Sequence, residues 1–400
     1  MFDYEARHII EALRSGIPSR AVGQYFSEAR PHIMQEITQD LAEVCTEGIA
    51  KGKIISGKYG EGKTHLLNTV FNLAHSNNMV VSYIPLSKET PFDKLYVIYQ
   101  KVMNSTYLPK RLQPGFMQEF DKLTPNSPLT NELLLLTGKQ LETDRLYYVL
   151  RSFINTDDQD ERFLLQTDLE GDFVPNQQVK KMYKRIFGEK VTFTKNFTKY
   201  AHYMDYFSFL SHLFVLLGYN GWVLLFDETE LMGRLGKKTR MKAYNHMAKF
   251  LFPPKTLRAT YSMFAISASY NEDVIEGKHE FENLKELYSE EDGKSIHKVL
   301  EGIAQAPQLA PLTNNEIHEV LLKLLHFHGR AYDWKPQVDV KTIQKTTDSG
   351  GYLLRTKIRS AIEYLDQLYQ YGQVGKNIIN PLQQESFEEE MPSLEGVLED

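Results

Sequence analysis

The sequence predicts an α/β protein: a parallel sheet wound by crossover helices, interrupted by a long helical insertion and followed by a C-terminal helical lid. Three observations predict it. Short apolar runs of strand length alternate with segments of helical periodicity. A glycine-rich stretch, Gly57-Lys58-Tyr59-Gly60-Glu61-Gly62-Lys63-Thr64, lies between the first such run and a helix. A later apolar run, Trp222-Val223-Leu224-Leu225-Phe226, ends in the adjacent acids Asp227 and Glu228.

Taken in order, residues 4–26 suggest two short amphipathic helices, with Ile9, Ile10 and Leu13 on one face and a break at Ser15-Gly16-Ile17-Pro18. A helix follows over about 32–47, carried by Ile33, Ile37, Leu41 and Val44. The first strand is expected over 53–56, a helix over 63–76 and a buried strand over 79–86. From about 91 to 219 the chain is mostly helical and polar, with apolar helical turns at 132–136 and 146–153. That stretch is far longer than one crossover requires, which marks it as an insertion. A third strand is expected over 222–226, then a helix over 241–252 closed by Pro253-Pro254. A fourth strand follows over 262–267, and a short fifth over 308–312. Three helices, over 315–328, 339–346 and 351–371, form the expected lid. The predicted division is therefore an N-terminal helical segment (1–50), a core (51–312) with its insertion (91–219), a helical lid (313–376) and an acidic, disordered tail (377–400).

Composition narrows the class without naming it. Hydrophobic residues make up 42% and charged residues 24% of 400, an ordinary globular balance. No apolar run approaches the roughly 18 residues that span a bilayer, so no membrane role is expected. The start, MFDYEARHII, carries acids and lacks the small-residue cleavage site of a signal peptide. Cys45 is the single cysteine, which excludes internal disulfides and thiolate metal clusters and fits a cytoplasmic location. Its expected place is the core of a helix. The net charge is −6, but the residues from Asn377 onward hold seven acids and no base; removing them leaves +1. Any nucleic-acid surface must then be a local patch.

The glycine-rich stretch fits G-x-x-x-x-G-K-[ST], a P-loop. Gly57, Gly60 and Gly62 free the backbone to wrap phosphates, with N–H groups, that of Glu61 among them, turned inward as an anion nest. Lys63 supplies positive charge to the β- and γ-phosphates, and the Thr64 hydroxyl is placed to ligate Mg²⁺. The following helix adds its positive end. The acid pair supplies the other half of Mg·ATP chemistry. Asp227 would hold the Mg²⁺ shell and Glu228 would orient and polarise the attacking water, which favours a hydrolase over a phosphoryl transferase.

Two weaker elements join them. ATPases with this strand order put a polar side chain at the end of the next strand, between γ-phosphate and water. Ser267 is the first choice, ahead of Ser269 and Asn271; a plain strand-end turn is the alternative. Arg355, with Arg359 one turn later, could reach phosphates from the lid, or the two could be a solvated pair.

With these elements placed, the chain resembles an AAA+-related P-loop ATPase of the additional-strand (ASCE) type. More narrowly it resembles the BrxD-like ATP-binding proteins of BREX antiphage systems. The resemblance rests on Tyr4-Glu-Ala-Arg7-His-Ile-Ile-Glu11-Ala-Leu13-Arg14-Ser-Gly16-Ile-Pro18, the glycine-rich loop, Leu225-Phe-Asp227-Glu228-Thr-Glu230 followed by Arg240 and Ala243-Tyr244, and the Leu354-Arg355 helix. It implies a bacterial defence role beside a partner such as a helicase or methyltransferase. AAA+ rings place an arginine between the fourth strand and the fifth, yet no arginine occurs between Arg258 and Arg330. A homo-oligomer would have to draw on Arg234, Arg240 or Arg258, and ring assembly stays open.

One segment points outward. Lys180, Lys181, Lys184, Arg185, Lys190, Lys195 and Lys199 fall within twenty residues, against the single acid Glu189. Tyr183, Phe187, Phe193, Phe197 and Tyr200 interleave with them. Cations that neutralise phosphates, beside rings that stack bases, suit DNA. A protein-binding face and a plain solvated surface over a core are the alternatives. The expected activity is that of an ATP-hydrolysing switch or loader contacting DNA, or else of a signalling or scaffold ATPase that binds only protein.

Overall fold

The computed structural model describes residues 3–15, 19–26, 30–111, 113–348 and 353–375. The expected break at 16–18, the lid-helix start at Gly351 and the acidic tail lie outside the described residues. The chain divides into two compact units. One comprises Arg30–Tyr59 and Lys63–Ala310; the other comprises Met1–Ala29, Gly60–Gly62 and Pro311–Asp400.

The larger unit is built on a five-stranded sheet: β1 (Ala50–Gly57), β2 (Met79–Pro85), β3 (Thr106–Tyr107), β4 (Gly221–Asp227) and β5 (Thr260–Ser267). Their order is β1-β5-β4-β2-β3, parallel throughout except for β3. An α/β protein with a mostly parallel sheet is therefore what folds. All seven residues of β4 are buried, the condition under which a parallel strand reads as a continuous apolar run. Its side chains still alternate. Trp222, Leu224 and Phe226 enter one core with the insertion helices, while Val223 and Leu225 enter another with Leu66, Leu67, Val70 and Phe71 of helix Lys63–Ser76. The Trp222 indole N–H donates to the Ser82 hydroxyl across the sheet at 2.9 Å.

β1 begins three residues before its apolar run. Ladder pairing of Ala50, Lys51 and Gly52 with Thr260, Tyr261 and Ser262 carries it there, not hydrophobicity. The charges at that end are used locally: Lys51 pairs with Asp40 at 2.8 Å and also with Glu43, and Lys53 with Glu36 at 2.8 Å, all on helix Pro31–Glu47. Cys45 is half-buried on that helix, with its thiol pushed up by burial. The expected fifth strand is corrected to a single bridge. Ser56 meets Gln308 in parallel, donating to the Pro307 carbonyl and accepting from Leu309. Prolines at 307 and 311 lack the N–H donors that a longer ladder needs.

The insertion is helical as expected, with helices Leu95–Asn104, Pro128–Lys139, Arg145–Asn155, Gln159–Leu169, Asn176–Phe187 and Met204–Leu216. Its centre holds a buried ion pair. Arg145 and Asp168 are both fully buried and joined through both carboxylate oxygens. The guanidinium lies 4.9 Å from the Phe173 ring and 4.8 Å from that of Phe197. Between β5 and Gln308 no element is expected from the sequence pattern, yet a π-helical turn, Asn271–Glu276, and two α-helices stand there, Glu280–Leu287 and Glu290–Ala304. The second α-helix buries Ile296, Val299, Leu300 and Ile303 at helical spacing and is capped by Ser289.

The smaller unit gathers helices that are far apart in sequence. Helices Tyr4–Ser15 and Arg20–Tyr25 pack with Asn314–Tyr332, Val340–Asp348 and Leu354–Tyr371. Ala6, Ile9 and Ile10 share a core with Leu321, Leu324, Ile362 and Leu365. Arg14 grips Asp366 at 2.7 Å, and the fully buried His328 reaches the same carboxylate at 3.0 Å while accepting from the Trp334 indole. The segment 1–50 is thus shared between the units, its helix Pro31–Glu47 lying on the sheet.

Candidate nucleotide site

Parallel strands deliver their C-terminal ends to one edge of a sheet. Here β1, β4 and β5 bring Gly57, Asp227 and Ser267 to that edge, with β5 inserted between the other two. Gly57 is the register partner of Ser267, and its carbonyl accepts from the Ala268 N–H at 3.1 Å. Beyond it, Gly60 (φ 75°) and Gly62 (φ 93°) sit in the left-handed region, which only glycine enters at no steric cost. Lys63 opens the following helix and curls back, its ammonium donating to the Gly57 carbonyl at 2.9 Å. Thr64 is the next residue, and its carbonyl is taken by the Asn68 amide. Glu61 is buried, whereas Lys58 and Tyr59 face solvent.

Asp227 is buried and held on both oxygens. The Tyr83 hydroxyl of β2 donates to Oδ2 at 2.6 Å, and the Glu228 N–H donates to Oδ1 at 3.0 Å. Burial, and then the Asp227 charge, pushes the Tyr83 phenol well above its usual range, so it stays a donor. Glu228 itself is a non-glycine residue at φ 55°, ψ 34°. Such left-handed strain costs about 1–3 kcal/mol and persists where surrounding structure imposes it. The turn swings the Glu228 side chain out to an exposed position. Its carboxyl nonetheless titrates above its ordinary value, through desolvation first and Asp227 second, with Lys63 opposing. Glu230 points inward instead: its Oε2 is buried with no hydrogen-bond partner, and desolvation raises it to about 7 against the pull of Lys63.

The other expected residues divide. Ser267 Oγ lies 3.2 Å from Ser269 Oγ beside the loop, whereas Asn271 is turned to Glu276 at 2.7 Å. Of the three arginines considered for action in trans, Arg240 is corrected: it is buried and gripped by Glu280 through Nε and Nη2, so it cannot project to a neighbour. Arg234 is exposed, and Arg258 precedes β5 at the sheet edge opposite the loop. Arg355 opens helix Leu354–Tyr371; a Cβ added at Gly60, which clusters with that unit, would lie 3.8 Å from the Arg355 Cβ.

The basic segment keeps its charges but loses most of its rings. Lys181, Lys184, Arg185, Lys190 and Lys195 are exposed and Lys180 half-buried. Tyr183, Phe193 and Phe197 are core residues, with Phe187 half-buried against Tyr183, so base stacking on them is corrected. Glu161 engages Arg185, Glu142 engages Lys195, and the Lys180 ammonium lies 4.5 Å from the Phe193 ring.

Among the described residues no three His, Cys, Asp or Glu side chains are grouped to hold a metal ion, and no helix is long and apolar enough to cross a membrane. Thr64 and Asp227 offer two hard oxygens. That suits Mg²⁺, which takes few protein ligands and completes its shell with water and phosphate.

A glycine loop with a buried aspartate at one sheet edge describes the class of nucleotide-binding α/β proteins. The family model for the BREX system ATP-binding proteins BrxC/D matches residues 3–119 and 156–379. The chain belongs to that family and is an ATP-binding protein of BREX defence. No curated protein and no solved structure matches it. Sequence reasoning missed Tyr83, since nothing in an apolar strand reveals its register, and assigned Glu230 no role although it stands in the same acidic run.

Proposed function

We propose that the chain is an ATP-hydrolysing switch or loader with a P-loop, additional-strand core of AAA+ type. The observation that carries this is the insertion of β5 between β1 and β4, which groups Gly57, Asp227 and Ser267 at one edge. The core is 51–312, its insertion 91–219, and 313–376 a helical lid. The Gly57–Thr64 backbone and Lys63 bind the phosphates. Thr64 and Asp227 would hold Mg²⁺, which would supply charge neutralisation to the phosphates. Tyr83 and the Glu228 N–H fix the Asp227 carboxylate. Glu228 takes the proton of the attacking water, Ser267 orients that water, and Arg355 links nucleotide state to the lid.

In this reading the protein works in the cytoplasm, contacts DNA through the exposed cations of helix Asn176–Phe187, and acts beside a helicase or methyltransferase. The engagement of Arg185 by Glu161 and Lys195 by Glu142 favours one alternative, a scaffold ATPase that binds only protein. Glu228→Gln should keep ATP binding and lower turnover by about 10²- to 10⁴-fold, the range of a lost general base. Lys63→Ala should weaken ATP binding itself. Wild-type turnover in Glu228→Gln refutes the assignment.

A further inference from the structure

Tyr200 is a large aromatic left in solvent, 56% exposed, at the end of the basic segment. It is not loose. The Tyr96 ring meets it at 90° with centroids 5.5 Å apart, Tyr96 packs in turn on buried Tyr203 at 6.1 Å, and Tyr203 stacks on Tyr206 at 5.0 Å. A chain of rings thus runs from the insertion core to the surface and fixes the outermost one. Cations surround that ring: the Lys199 ammonium lies 5.3 Å from its centroid and 4.8 Å from that of Tyr96, and Lys242 lies 5.6 Å from Tyr200. Lys238, exposed, stands one turn before Lys242 on helix Lys237–Leu251. That helix begins three residues after the turn Thr229–Arg234, which carries Glu230 and follows Glu228.

We propose that Tyr200, with Lys199, Lys242 and Lys238, is a base-stacking platform for single-stranded DNA. The inference rests on the DNA reading above and deepens it. A rigid exposed ring offers a π-face to an unpaired base, which duplex DNA does not present. The flexible lysines whose ammoniums lie over the ring can turn from it to the flanking phosphates as a base takes their place. The chain from helix Asn176–Phe187 leads on to Lys199 and Tyr200, so the helix cations and that half of the platform share one segment of sequence. The same helix that carries Lys238 and Lys242 leaves the Glu228 turn, which offers a short covalent route between strand binding and the hydrolytic carboxylate.

The test uses the full chain and a 5′-labelled oligodeoxythymidine, followed by fluorescence anisotropy over a salt series, beside a labelled duplex of equal length. Wild type should prefer the single strand. Tyr200→Ala should weaken single-strand binding by roughly 5- to 150-fold, the alanine cost of one stacked base, and Tyr200→Phe should retain it. Lys199→Ala combined with Lys242→Ala should lower the log–log salt slope by about 0.7 for each phosphate that is no longer neutralised. The DNA-free ATPase rate should stay unchanged in all three, since none touches the loop or acids. If wild type binds neither DNA, the DNA reading itself falls. If it binds, and Tyr200→Ala binds equally while changing Lys180, Lys181, Lys184 and Arg185 to alanine abolishes binding, the DNA reading stands and the platform is refuted. A preference for duplex that Tyr200→Ala leaves untouched also refutes it.

Discussion

Replacing Arg145 by methionine tests what holds the insertion together. Arg145 is fully buried, and methionine roughly preserves its aliphatic volume between Phe173 and Phe197. What disappears is the positive charge, along with the donors to Asp168, the Tyr206 oxygen, the Val174 carbonyl and Asn176. Asp168, also fully buried, would keep only the Tyr206 hydroxyl and the Val174 N–H. Breaking a buried pair in this way costs about 3–5 kcal/mol, because one charge is stranded in low dielectric. Hydrogen exchange on helix Arg145–Asn155 reads that loss as local opening. Its slowest amides should exchange roughly 150- to 5,000-fold faster. Adding Asp168→Leu should recover much of the loss, since the stranded charge is then gone. A double variant that exchanges as fast as Arg145→Met alone refutes the argument, because the penalty would then come from packing rather than charge.

Arg240→Ala should destabilise the larger unit by a similar few kcal/mol, since it strands the buried Glu280 carboxylate, and a thermal melt checks this. Mixing it with loop-dead subunits should show no defect in trans, and a specific trans defect would restore it as an intersubunit residue. Glu230 gives a pH dependence. Its folded carboxyl keeps a proton up to about 7, whereas the ordinary value is 4.5, so stability falls as pH rises between them. Glu230→Gln should flatten that part of the profile and raise stability at pH 8 by on the order of 2 kcal/mol after allowance for partial exposure. An equal change in urea-unfolding free energy between pH 5 and pH 8 for wild type and Glu230→Gln would sink the assignment.

The sheet was legible because β2, β4 and β5 are apolar runs of strand length and β1 sets Ile54-Ile55 before the glycine turn, and the glycine loop and acid pair announce themselves by spacing. β3 was not, because two residues carry no period. Helix Glu290–Ala304 had the periodicity and could have been read. Tyr83 and Arg240 show the harder limit. Their partners, Asp227 and Glu280, lie 144 and 40 residues away, and only the register of β2 against β4 or the burial of a helix face decides those pairings. The rings of the basic segment fall in the same class: sequence shows that they alternate with lysines, while tertiary packing decides which of them meet water.

The smaller unit sets a schedule for synthesis. Its first helices, Tyr4–Ser15 and Arg20–Tyr25, have their core partners in Asn314–Tyr332 and Leu354–Tyr371. A ribosome adding about 5–20 residues per second needs roughly 15–60 s to cover the intervening chain. During that interval Ile9 and Ile10 have no core to enter, and Arg14 has no Asp366 to grip. The sheet unit can close on itself while the amino-terminal helices remain available to chaperones, and they dock last although they are made first.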